Sequence, residues 1–235
     1  MSGRSSRRQA KKPAKHPVKE DPGQLRARGI SILRTLRRIF PSAQTALHHE
    51  NAFQLLVATI LSAQCTDERV NIVTKELFPE YPAPADLASV PQPELEKLIR
   101  STGFYRMKAK NVIACSRALM ERFGGVVPRT MEELVSLPGV GRKTANVVLG
   151  QAYGITSGVV VDTHVHRLAR RLGFTVEDTP EKIEADLMRL FPKKDWIELG
   201  TVLILHGRRT CKARKPDCPS CPVNERCPSS LVRDR

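Results

Sequence analysis

The chain has 235 residues, 40% of them hydrophobic, which supplies one large or two modest cores and excludes a chain disordered throughout. Lys and Arg number 39 against 24 Asp and Glu, a net charge of +15, so a polyanionic partner is the first expectation. A membrane span is not expected, because the longest apolar run, Leu55 to Leu61, is broken by Thr59 and falls far short of the roughly 20 residues required.

The N-terminal end carries part of that charge. Arg4, Arg7, Arg8, Lys11, Lys12, Lys15, Lys19, Arg26 and Arg28 stand against Glu20 and Asp21 in the first 28 residues, a net +7, and the other +8 belongs to the rest of the chain. Residues 1–22 read as a disordered basic tail held near nucleic acid by charge. No apolar segment follows it as in a secretory signal, so a cytoplasmic, nucleoid-associated protein is expected; the Arg and Ser content keeps an organelle transit peptide as the alternative.

Helix signals then follow one another. Leu25, Ile32, Leu33, Leu36 and Ile39 share a helix face that Pro41 closes, with Arg34, Arg37 and Arg38 opposite. A mostly buried helix is expected over Ala52 to Ser62. The next starts at Thr66, has Asp67 and Glu68 in its first turn where the helix dipole favours acid, and stops at Pro79. The Pro-rich stretch from Pro79 to Pro93 is expected to hold only short pieces, and Pro93 suits the first position of a helix carrying Leu95, Leu98 and Ile99. A long helix from Arg106 to Phe123 ends at Gly124 and Gly125.

Thr130 and Glu133 form a capping box for a helix over Met131 to Leu137. After a glycine hairpin, helices are expected over Arg142 to Tyr153, Asp162 to Arg171, Thr179 to Leu190 and Asp195 to Leu205. Val159 to Val161 reads as an extended entry to Asp162 rather than a strand. About ten helices and no hairpin pattern make the fold all-α. Cys65 and Cys115, alone in apolar helical patterns, read as small buried hydrophobes.

The most informative segment is Leu137-Pro138-Gly139-Val140-Gly141-Arg142-Lys143. Two glycines around one apolar residue make a tight turn between helices and leave the backbone N–H groups of Gly139 to Lys143 free at a helix start. Such donors form an anion site. In a basic protein the anion is a DNA phosphate, contacted without reading a base. A turn packed inside a core is the competing reading.

Lys143 sits where the positive helix end and neighbouring Arg142 disfavour a charged ammonium, and a lysine amine with a lowered pKa is a nucleophile. Its candidate partner is Asp162 in Val161-Asp162-Thr163-His164. A helix N-cap role for Asp162 is compatible with that partnership.

The remaining four of six cysteines, Cys211, Cys218, Cys221 and Cys227, fall within seventeen residues with spacing C-x6-C-x2-C-x5-C. They read as one metal site; disulfides are the alternative that a reducing cytosol disfavours. Four thiolates bind zinc as readily as iron on composition alone, although the spacing is not the paired C-x2-C ribbon pattern.

Leu137 to Val148, Val161-Asp162-Thr163-His164-Val165, Leu61-Ser62-Ala63-Gln64 before Thr66-Asp67, and the four cysteines together resemble endonuclease III of the helix-hairpin-helix DNA glycosylases, over residues 24–228. The resemblance implies a bifunctional DNA glycosylase and abasic-site lyase of base excision repair. Its expected partner is double-stranded DNA containing oxidised pyrimidines, such as thymine glycol, or abasic sites, and it works as a monomer. Lys143 then matches the catalytic lysine and Asp162 the essential aspartate. Gln64 matches the residue that fills the space of an extruded base, and Phe104 sits where the family carries a smaller apolar wedge.

The cysteine spacing matches the family's [4Fe–4S] loop. Lys212, Arg214 and Lys215 on that loop would clamp phosphates, with Gly139, Val140, Gly141 and Arg142 at the hairpin. The implied architecture is a six-helix barrel with the hairpin over 45–155, and a second helical domain, 23–44 with 156–228, that carries the cluster loop, followed by a tail at 229–235. A related glycosylase with another lesion preference, or a non-enzymatic helix-hairpin-helix DNA-binding protein, is the alternative. Adenine and mismatch glycosylases of the same superfamily lack the lysine found at 143.

Overall fold

A computed structural model describes residues 20–232. The basic tail expected over 1–22 therefore lies outside the described residues except at its end, as do residues 233–235. Residues 20–22 are tied to the first helix: Asp21 caps α1 (Pro22–Ile39) by accepting the N–H groups of Gly23 and Gln24, and Glu20 bonds Arg28 Nε at 2.8 Å.

Ten further helices follow: α2 (Ala52–Leu61), α3 (Asp67–Glu80), α4 (Pro84–Ser89), α5 (Gln92–Ile99), α6 (Tyr105–Phe123), α7 (Met131–Val135), α8 (Arg142–Tyr153), α9 (Thr163–Arg171), α10 (Pro180–Leu190) and α11 (Trp196–Arg209). Among the described residues there is no β-strand, and residues 159–161 belong to no helix or strand. No helix among them is long and apolar enough to cross a membrane.

The local differences from expectation have simple causes. Pro79 lies inside the last turn of α3, where its missing N–H removes one terminal bond and Tyr81 N–H still reaches Leu77 O at 2.9 Å. Pro84 starts a short helix in the stretch expected to be irregular, with the Asp86 carboxylate accepting from Ala83 N–H. Pro93 is the second rather than first residue of α5. Thr179 precedes α10 without a side-chain cap bond, and α11 runs four residues past Leu205 because Gly207 lets it pass close to His164 and Arg167. Ile39 is half exposed, at the frayed end of its face.

The buried apolar residues form two clusters. One spans Leu47 to Leu149 and unites α2 to α8; Cys115 is buried in it and Cys65 packs half-buried against it. The other joins Ile32, Leu33 and Leu36 of α1 and Phe40 just after it to residues between Val159 and Val223 on α9, α10, α11 and their flanking segments. The first and last parts of the chain thus share one core, and the middle has its own.

Candidate active site

The turn between α7 and α8 needs glycine twice over. Gly139 has φ +75°, and a Cβ there would lie 2.7 Å from Asn111 Cβ on α6. Val140 is buried in the first core and gives its N–H to Leu137 O at 3.2 Å. Its amide is therefore not one of the free donors expected at this turn, because it closes the hairpin instead. Gly141 caps α8 without a side chain, and its carbonyl takes Ala145 N–H at 3.0 Å. The amides of Arg142, Lys143 and Thr144 precede that first helical bond and carry the positive end of the dipole.

Lys143 is exposed at this helix start. Asp162 is half-buried at the start of α9, and its Oδ1 accepts the N–H groups of His164 and Val165, each at 2.8 Å. The cap uses one oxygen; among the described residues no donor is seen on Oδ2. Burial holds the neighbouring His164 imidazole below its ordinary value, aided by Arg167 and Arg208 and opposed by Asp162.

Lys143 and Asp162 line one cavity of about 110 Å³, together with Ser62, Asp67, Asn146 and Gly158. It opens between the two cores. Arg208 of α11 bonds Asp67 at the start of α3 at 2.7 Å across this cavity, tying the two cores at its wall. Arg142 turns away from it: Nε and Nη2 bond Glu184 at 2.9 and 3.3 Å, and this hydrogen bond raises the guanidinium above its ordinary value.

Gln64 and Phe104 both lie on exposed turns of the first core. Phe104 is 67% exposed, and Met107, one turn further along α6, is 60% exposed beside it. Sequence reasoning missed Arg208, Glu184 and Asn146. For Glu184 a signal existed, since it lies on the α10 face that also holds Ile183 and Leu187.

The four cysteines of the C-terminal loop line a second cavity, of about 270 Å³, floored by Leu168, Leu172, His206 and Val223. Burial pushes the Cys227 thiol up to about 11 and raises Cys221 as well, so a metal bound there must displace protons. Among the described residues no three His, Cys, Asp or Glu side chains converge on a single-ion site. Arg171 pins the loop through the Cys211 sulfur at 3.4 Å and the carbonyls of Lys212 and Ala213 at 2.8 Å. Lys212, Arg214 and Lys215 face solvent.

Residues 57–193 match the family described as HhH-GPD superfamily base excision DNA repair protein. The chain is 53% identical over 203 residues to endonuclease III of Synechocystis sp. (strain ATCC 27184 / PCC 6803 / Kazusa), covering 86% of this chain and 93% of that one. A solved non-covalent endonuclease III–DNA complex superposes with a TM-score of 0.85 at 45% identity, covering 89% of this chain and 98% of that one. A trapped endonuclease III–DNA covalent intermediate gives 0.84 at 45% identity, covering 89% and 99%.

Proposed function

The chain belongs to the HhH-GPD superfamily of base excision DNA repair proteins, and from that membership we infer that it is a bifunctional DNA N-glycosylase and abasic-site lyase acting on damaged double-stranded DNA. The observation that carries the assignment of roles is that Lys143 and Asp162, from opposite cores, line one cavity.

A base inside a duplex is out of reach, so the nucleotide is extruded at a cost of about a few kcal/mol, least where damage has weakened stacking. Gln64 fills the space it leaves, and Phe104 acts as the apolar wedge that holds the duplex unstacked. Neutral Lys143 attacks C1′ as the C1′–N bond breaks and the base leaves with the bonding pair. Asp162 Oδ2 takes the lysine proton and offsets positive charge on the sugar. Opening of the sugar ring gives an imine, whose acidified C2′ proton is lost as the 3′ C–O bond breaks with departure of the phosphate. Oxidised pyrimidines are the lesion class.

The donor set of the second cavity, four cysteine side chains around one space, suits a thiolate-ligated group. Cys211, Cys218, Cys221 and Cys227 would hold a [4Fe–4S] cluster, which when bound supplies a rigid thiolate anchor for the loop. That loop presents Lys212, Arg214 and Lys215 to phosphates, with the α8 amides holding another. We assign residues 45–155 to a barrel domain and 23–44 with 156–228 to a cluster domain, a division supported by the two buried apolar clusters.

Borohydride reduction during reaction with abasic DNA is the test. A covalent complex that is lost in Lys143→Gln supports the assignment. No complex with the intact protein, or equal trapping by Lys143→Gln, leaves only a DNA-binding protein. Iron and acid-labile sulfide in equal amounts, lost in Cys218→Ser, test the cluster; zinc alone overturns it.

A further inference from the structure

We propose that Glu184 is a positioning residue for this chemistry, fixing Lys143 and Asp162 relative to each other from α10; the inference rests on the roles given to those two residues above. Its carboxylate is buried between the cores and takes three N–H donors on two oxygens. Arg142 Nε reaches Oε2 at 2.9 Å, while Arg142 Nη2 and Asn146 Nδ2 reach Oε1 at 3.3 and 2.9 Å. Arg142 and Asn146 lie four residues apart on one face of α8 and bracket Lys143. A bond to both sets the rotation of the helix about its axis, and with it the direction from which Lys143 enters the cavity.

The same carboxylate touches the approach to Asp162. A Cβ on Gly158 would lie 1.9 Å from Glu184 Oε1, so only a glycine allows the backbone to settle there. Next to it, Ser157 donates its hydroxyl to Asn146 Oδ1 at 2.7 Å. From Gly158 the chain runs outside any helix through Val159, Val160 and Val161 to Asp162, whose own backbone is extended. Gly158, Asn146, Lys143 and Asp162 all line the cavity. One carboxylate therefore reaches both the helix that carries the nucleophile and the segment that delivers its partner.

Glutamine in place of Glu184 keeps the shape but offers one oxygen and two further N–H groups to three converging donors, which cannot all be satisfied. Glu184→Gln is expected to slow single-turnover trapping on saturating abasic DNA about tenfold, as misplacement of reacting groups does. Affinity for a duplex with a non-cleavable abasic analogue should stay within about twofold, because Glu184 is buried and itself makes no contact with DNA. Arg142→Gln should be comparably slow, and the double variant no slower than the worse single one, because both act through one contact. Arg189→Ala, which removes an exposed pair with Asp186 on the same helix, should trap at the parent rate.

A parent rate for folded Glu184→Gln, or slowing fully explained by lost DNA affinity, overturns the inference. If Glu184→Gln does not fold, Ser157→Ala decides, with about threefold slower trapping expected at saturating DNA and an unchanged rate overturning the proposal. The roles of Lys143 and Asp162 are judged separately by trapping with the parent protein and Lys143→Gln.

Discussion

Gln64 and Phe104 share a backbone state: they are the two non-glycine residues among those described with positive φ, at 52° and 48°. Gln64 ends the turn between α2 and α3, and Phe104 precedes α6. A left-handed residue with a side chain costs about 1 to 2 kcal/mol, and exposed Phe104 recovers little of it by burial. Both strained points fall on the residues assigned to the duplex, Gln64 to fill the extruded base's space and Phe104 as the wedge.

Phe104→Gly removes that strain and adds the chain entropy of glycine, so its unfolding free energy is expected to stay within about 1 kcal/mol of the parent. Binding to duplex bearing a stable abasic analogue should weaken about fivefold or more through loss of the wedge. Denaturant melts and fluorescence anisotropy check the pair of outcomes. Unchanged binding with lower stability would make Phe104 a packing residue.

Asp162 caps a helix and serves the lysine, and two substitutions separate these tasks. Asparagine caps as well as aspartate, so Asp162→Asn should melt like the parent, whereas Asp162→Ala should lose about 1 kcal/mol. Both should slow borohydride trapping about 100-fold through loss of the proton acceptor. Full trapping by Asp162→Asn would confine the residue to capping.

Lys108 is buried just behind the Phe104 turn and donates from Nζ to Thr102 O at 2.7 Å. Lys108→Met leaves that carbonyl without its donor, a loss of about 1 to 3 kcal/mol. Burial also lowers the folded-state pKa of Lys108 beneath its ordinary value. Just below that value the unfolded chain then binds more protons than the folded one, so this residue's contribution makes stability rise with pH. Urea melts at about pH 8 and about pH 10 should show a more positive change for the parent than for Lys108→Met. Parallel changes would mean that the folded protein does not depress this group.

Removing residues 1–19 takes seven cations and leaves the Asp21 cap and the Glu20–Arg28 pair in place. The plot of log affinity against log salt should become shallower while trapping at saturating DNA is unchanged. An equal slope would mean that the tail does not meet DNA. A cut through residue 22 should cost about 1 kcal/mol more from the lost cap.

How much could be read beforehand follows the range of the interactions. Local signals were legible: the Thr66 and Thr130 caps, the Gly124 stop, and α8 at its observed bounds all depend on residues within a turn of one another. The Lys143–Asp162 pairing could be proposed because each sits at a helix start with a chemical reason to be there. Arg142 and Glu184 are 42 residues apart, and Arg208 and Asp67 are 141 apart. No local pattern selects such partners from 39 cations and 24 acids, so neither pairing could be read from the sequence.

The shared core of the two chain ends has a consequence for synthesis. Arg28 Nη1 bonds the carbonyls of Leu172 and Arg226, and Arg37 bonds Asp195 and Glu198, so these long-range anchors of α1 are late residues. At about 5 to 20 residues per second, the α1 apolar face waits on the order of ten seconds on the nascent chain before its partners are made. The middle core can close during that wait. The order of birth and the order of burial are therefore different, and the cavity between the cores is completed only when the last helices fold back onto the first.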